Sequence, residues 1–301
     1  SGSDHNTSIN NIKLYARSKI RSVARKKTKE EAMQQYIDFL NIPTSWVEDT
    51  FDSAQIAEDS IMNLSLDIHV NDIRNMSPQA RFIMFDACYN GSFHYYENIA
   101  GEYIFNSGNT LVTQGNTVNV IQDKWPDEFL GLLAAGLRVG TWSQHVHYLE
   151  THLIGDPTFR FANSSNIAFD INKEIHTQRT NNKFWLKQLD HTNVDLQAMA
   201  LRKLYDNNYA SISNLLKQTY MESNSMIVRA EAFFLLSKLD DENFIDVLAM
   251  AATDSYELIR RFAVEFIAKN GAERLIPAYL ENVFWDTTSE RSIYRQQTYM
   301  Q

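Results

Sequence analysis

The sequence predicts an α/β domain with an open, mostly parallel sheet and helices on both faces, followed by an α-α helical repeat domain. Three observations predict it. The apolar run "RFIMFDA" at 81–87 stops abruptly at a polar turn, as a buried strand of a parallel sheet does. A strand, helix, strand, helix order then fills the residues up to 140, which is an α/β signature. Beyond residue 190, three helical segments recur at a nearly constant step.

The bulk properties agree with two globular domains. The chain has 301 residues, enough for two domains at roughly 100–200 residues each. It is 44% hydrophobic and 22% charged, which excludes a disordered chain. A formal net charge of -9 argues against nucleic acid as a general partner. A single cysteine excludes an internal disulfide and the Cys-rich zinc patterns. No apolar run reaches the roughly 18 residues that a membrane span needs, and "SGSDHNTSIN" lacks the charged and apolar regions of a signal peptide.

Taken in order, Ile9, Ile12, Tyr15, Ala16, Ile20 and Val23 are spaced as one face of a helix over 8–26. A second helix is expected from Thr28, which forms a capping-box pattern with Glu31 ahead of "AMQQYIDFL". Arg25, Lys26, Lys27 and Lys29 lie at the junction, either as a solvated helix end or as a cleavage loop. Residues 43–80 read as irregular or short helices closing on the Ser-Pro turn of "NMSPQA". After the strand at 81–87 come a second strand, "NTLVTQG" (109–115), and an apolar helix, "DEFLGLLAAGLRVG" (127–140). The polar stretch 163–182 marks a boundary, giving domains at 1–165 and 183–301 with 166–182 as linker.

The repeated segments are "NVDLQAMALRKL" (193–204), "SMIVRAEAFFLL" (225–236) and "YELIRRFAVEFI" (256–267). Leu196, Val228 and Ile259 are equivalent, 32 and then 31 residues apart, and Ala200, Ala232 and Ala263 keep step with them. The helices between are "ISNLLKQTY", "NFIDVLAMAA" and "RLIPAYLENVF". Each pair buries its apolar face against the next. The pattern, above all "ATDSYELIRRFAVEFIAKNG", resembles HEAT repeats in a compact form.

Chemistry centres on Cys88. A nucleophile at a strand end, followed by the turn Tyr89-Asn90-Gly91-Ser92, would stand at the carboxyl edge of a parallel sheet. There an imidazole and the turn's N–H groups can activate a thiol and then hold an oxyanion. The competing reading is a small buried hydrophobe. Asp86, two residues earlier, either faces a pocket that pairs with a basic substrate side chain or caps the turn. His145, His147, Glu150 and His152 cluster in "WSQHVHYLETH" and read as ordinary polar residues more readily than as metal ligands. Trp125 in "QDKWPDE" borders a substrate cleft or sits in an exposed turn. No cofactor is expected.

Asp86-Ala87-Cys88-Tyr89-Asn90-Gly91 resembles the nucleophile turn of caspase-like cysteine peptidases, and "CYNGSF" resembles that of the gingipain family of Bacteroidetes. "HLIGDPTFRF" (152–161) is similar to the Leu-Gly-Asp-Pro segment that closes the gingipain catalytic domain. The resemblance covers roughly 60–162 and implies a caspase-like α/β fold that lacks its first strands, in a bacterial, extracytoplasmic or secreted protein. It also implies a cysteine endopeptidase that cleaves after Arg or Lys, with Cys88 as nucleophile and Asp86, Gly91, Thr113 and Gln114 on the substrate side. Its substrate is then a protein or peptide with a basic residue at the cleaved bond, and "ARKKTKE" (24–30) becomes a site of self-processing. The sequence departs from the family in having no His-Gly pair. The candidate imidazole is His5, in a polar turn, with His69 read as structural. The catalytic histidine otherwise belongs to an N-terminal fragment that completes the domain. The alternative function is an inactive peptidase-like scaffold that binds a protein through its helical repeats.

Overall fold

The computed structural model describes residues 2–120, 125, 127–146, 148–287 and 289–299, with side chains for all of these except 2–7 and 299. The chain divides into two compact units, residues 1–76 and 77–301.

The first unit is helical. It holds α1 (Gly2–Val23), α2 (Lys29–Leu40), α3 (Ser53–Leu66) and α4 (Val70–Arg74). The predicted capping box starts α2: the Glu31 amide donates to Thr28 Oγ1 at 3.2 Å and the Thr28 amide to Glu31 Oε2 at 3.1 Å. Asn41 ends the helix in the left-handed conformation. Arg25, Lys26 and Lys27 lie between α1 and α2, Lys29 opens α2, and all four are exposed. Ala16, Ile20, Ala32, Ile42 and Val47 form a small core.

One carboxylate ties this unit together. The Asp59 side chain, 2% exposed, accepts from Arg17 Nη2 at 2.6 Å and from Arg21 Nη2 at 2.7 Å, joining α3 to α1. Burial alone would raise its pKa, but the hydrogen bonds from Arg17, Arg21 and Gln55 outweigh that and hold it below the ordinary 3.8. A lowered carboxyl stabilises the fold fully above its unfolded pKa and loses that contribution as pH falls through the folded value. Asp59→Asn is therefore expected to cost about 2 kcal/mol at pH 7, read as lost amide-exchange protection in α1 and α3. The cost should shrink below pH 3.8; equal protection in the two proteins at pH 7 would refute it.

The second unit carries the sheet and the repeats. Strands β1 (Phe82–Met84), β2 (Val112–Asn116) and β3 (Thr151–Gly155) form one mixed sheet in the order β1-β2-β3. β1 runs parallel to β2, with Met84 opposite Gln114, and β3 runs antiparallel, with Thr151 opposite Asn116. Helices α5 (Ile99–Phe105), α6 (Gly131–Ala134) and α7 (Val139–His145) accompany the strands.

This corrects the expected fold class. The structure is 58% helix and 5% strand, so an open, mostly parallel caspase-like sheet with helices on both faces is absent from the described residues. Two local causes are visible. Only three residues of "RFIMFDA" pair as β1, because beyond Phe85 the backbone carbonyls are taken by a side chain, that of Asn116. The apolar helix expected over 127–140 breaks at Gly136, which has φ +80°. There Asn172 accepts the Arg138 amide at 2.8 Å and donates to the Gly136 carbonyl at 2.8 Å.

Helices α8 (Ile171–Thr177) and α9 (Asn182–Gln188) follow. Ile167, Ile171 and Ile175, in the stretch read as a linker, are buried in the same core as Trp142 and Trp185. Then come three helical hairpins: α10 (Val194–Asp206) with α11 (Ile212–Glu222), α12 (Met226–Leu239) with α13 (Glu242–Ala251), and α14 (Glu257–Asn270) with α15 (Ile276–Trp285). Helix α16 (Glu290–Tyr299) packs on α14. The equivalent positions Leu196, Val228 and Ile259, and likewise Ala200, Ala232 and Ala263, are all buried. Asn193 and Ser225 cap α10 and α12 in the same way, accepting from the amides of Leu196 and Val228. The helical repeat read from the spacing is therefore a stack of hairpins sharing one core.

Candidate functional site

The turn after β1 is built by one buried asparagine. Asn116, at the end of β2, donates its side-chain amide to the carbonyls of Phe85 (2.9 Å) and Ala87 (3.1 Å). Its own backbone amide donates to Asn90 Oδ1 at 2.9 Å, and its carbonyl accepts from the Gly91 amide at 3.1 Å. Thr151 on β3 donates to Asn116 Oδ1 at 2.9 Å. The side-chain NH2 is thus spent on fixing the path of 85–87, while Oδ1 ties the same side chain to β3. Tyr89 takes a positive φ of 57° within that turn. Gly91 and Gly115 stack so closely that a Cβ on Gly115 would lie 2.9 Å from Gly91 Cα.

Cys88 rides on this fixed turn and is exposed. Its Sγ accepts the Val120 amide at 3.2 Å. Asp86 is exposed too, and lines a cleft with Gln114, Trp142, Tyr148 and Thr151. The cleft measures about 20 Å³, room for one water and not for a basic side chain. Gly91 is buried against β2. Thr113 is fully buried and donates to the Ala100 carbonyl at 3.0 Å, which anchors α5 to β2. Gln114 is 6% exposed, and its Oε1 finds no hydrogen-bond partner among the described residues.

The structure brings no imidazole into a hydrogen bond with Cys88 among the described residues. The His5 side chain lies outside them. His69, in the first unit, precedes α4: its amide donates to Asp72 Oδ2 at 2.8 Å and its Nε2 lies 3.1 Å from the Leu64 carbonyl. His152, on β3, packs its ring on Phe93 with centroids 4.8 Å apart, and its Nδ1 lies 3.0 Å from Thr117 Oγ1. Burial holds this imidazole below its ordinary pKa, with the backbone at Gly91 and Glu150 opposing. The Gly91 backbone lies close to Nε2, yet no hydrogen bond of good geometry forms there. His147 lies outside the described residues, and among those described no three His, Cys, Asp or Glu side chains are grouped to hold a metal.

Sequence reasoning missed Asn116 and His152 as neighbours of the turn. A polar residue closing an apolar strand, "TLVTQGN", was the only signal for Asn116. In the same unit, a second concavity of about 360 Å³ lies among Trp125, Arg202, Phe234, Lys238, Phe262 and Phe266. No helix among the described residues is long and apolar enough to cross a membrane. In comparisons with protein-family models, curated proteins and solved structures, nothing matches the chain.

Proposed function

We infer that the chain carries the nucleophile of a cysteine endopeptidase with preference for Arg or Lys. The observation that supports this is the exposed Cys88 thiol on a braced strand-end turn, with the Val120 N–H directed at Sγ at 3.2 Å. In this reading Sγ bonds to the peptide carbonyl carbon as an imidazole takes the thiol proton. That proton passes to the leaving amine as the C–N bond breaks, and water then hydrolyses the thioester. Asp86, an exposed carboxylate two residues before the thiol, pairs with the basic side chain. In this reading the imidazole is supplied from outside the described side chains.

Labelling tests this. In the protein, an Arg- or Lys-directed acyloxymethyl ketone is expected to alkylate Cys88, seen as a mass shift on its peptide and lost in Cys88→Ala. Asp86→Asn is expected to slow that labelling about tenfold or more, by removing a charge-assisted pair. Absence of Cys88-dependent labelling overturns the peptidase reading. The aromatic-lined concavity beside the repeats would then be the place to look for a scaffold's partner.

A further inference from the structure

A polar cavity of about 560 Å³ opens between α7, α8 and α10, and none of its lining residues belongs to the Cys88 turn. At its wall stands Lys203 of α10, only 6% exposed. An ammonium has three N–H donors. Here the one hydrogen-bond contact of Nζ is His145 Nε2, at a long 3.5 Å, and no ion pair joins Lys203 to a carboxylate among the described residues.

A second cation, Arg179, faces the same space. Arg179 and His176 line the cavity and are exposed, and Asp206 is the single carboxylate among the lining residues. Burial first, then the neighbouring charges of Arg179 and Arg202, hold the Lys203 amine below its ordinary pKa against the pull of Asp206. The wall is also braced: Asn207 donates its side-chain amide to the Arg179 carbonyl at 3.1 Å and to Asn182 Oδ1 at 2.8 Å, tying the 179–182 segment to α10. Arg179 is therefore carried on a fixed backbone.

A buried lysine without a carboxylate, beside a second fixed cation and open to a polar cavity, lacks one thing, a dianionic acceptor. The cavity stands out the more in a chain of net charge -9. We propose that it binds a small phosphate monoester, with the phosphate held by Lys203 and Arg179. Lys203 supplies up to two free N–H donors in a desolvated position, and Arg179 a planar pair at the rim. The remaining volume takes the organic part of the ligand, which sets this site apart from one shaped for the inorganic ion alone.

The test is titration calorimetry of the full chain with glycerol 3-phosphate, with inorganic phosphate and with sulfate, at constant ionic strength. One saturable site is expected, tightest for glycerol 3-phosphate. Affinity should fall about tenfold or more in Arg179→Gln and further in Lys203→Met, as expected when a charged hydrogen-bond partner is lost. Arg179 is on the surface, so Arg179→Gln reports on binding even if Lys203→Met unfolds. Unchanged affinity in Arg179→Gln, no saturable binding in the wild type, or equal binding of sulfate and glycerol 3-phosphate would each overturn the proposal.

Discussion

Arg202→Met is expected to lower the unfolding free energy by about 3–5 kcal/mol. Arg202 donates to both oxygens of Glu231, at 2.7 and 3.0 Å, to Glu128 at 2.5 Å and to the His145 carbonyl at 3.2 Å. Its guanidinium also stacks over Phe129, 5.0 Å from the ring centroid. Glu231 is fully buried, so removal of the arginine strands a carboxylate where water cannot reach it. Lysine cannot substitute, because a point charge does not serve four acceptors arranged in a plane. A double variant, Arg202→Met with Glu231→Leu, should recover much of the loss. Denaturant melts of the three proteins check this; equal midpoints for wild type and Arg202→Met would refute it.

The same cluster sets a pH dependence. Burial, then the charge of Glu128, pushes the Glu231 carboxyl up to about 7 against the attraction of Arg202. Burial alone would weaken Arg202 as a cation, but the two carboxylates keep it charged and hold its pKa above its ordinary value. A carboxyl raised in the folded state holds a proton that the unfolded chain releases. Its stabilising contribution is complete below the unfolded 4.5 and is lost as pH rises through about 7. Glu231→Gln, which cannot ionise, should flatten that part of the stability profile.

Gly115→Val is expected to cost about 2–3 kcal/mol and to slow alkylation of Cys88. A Cβ at 115 meets Gly91 Cα at 2.9 Å, Gly91 N at 3.1 Å and Ala100 Cβ at 3.1 Å, so two of its three neighbours are backbone. The strand must shift or the Cys88 turn must lift away, breaking the Gly91 amide bond to the Asn116 carbonyl. Thermal melting together with iodoacetamide kinetics checks both effects. An unchanged melting point with an unchanged rate would show that the turn is not held by this glycine pair.

The helical hairpins were legible because their signals are local. The helical spacing of apolar residues around each of Leu196, Val228 and Ile259, and caps such as Asn193 and Ser225, act within a few residues of where they are written. The Thr28–Glu31 capping box is legible for the same reason. The sheet was not, since an apolar run such as "RFIMFDA" states a preference for burial and says nothing about which neighbours it will find. β1 is paired only to β2, and the antiparallel partner comes from "THLIG", a segment whose pattern announced no strand.

The sequence by itself therefore determined the repeat, the starts of α2, α10, α12 and α14, and a lone thiol shortly after an apolar run. Tertiary structure alone decided how far that strand pairs and that Asn116 braces the Cys88 turn from 28 residues away. It also decided that Lys203 reaches its cavity without an ion pair to a carboxylate among the described residues, while its neighbour Arg202 is paired with two. Adjacent residues on a helix point in different directions, so one falls among acceptors and the next among cations. Which is which depends on what the other helices bring, and that is a property of packing rather than of local spacing.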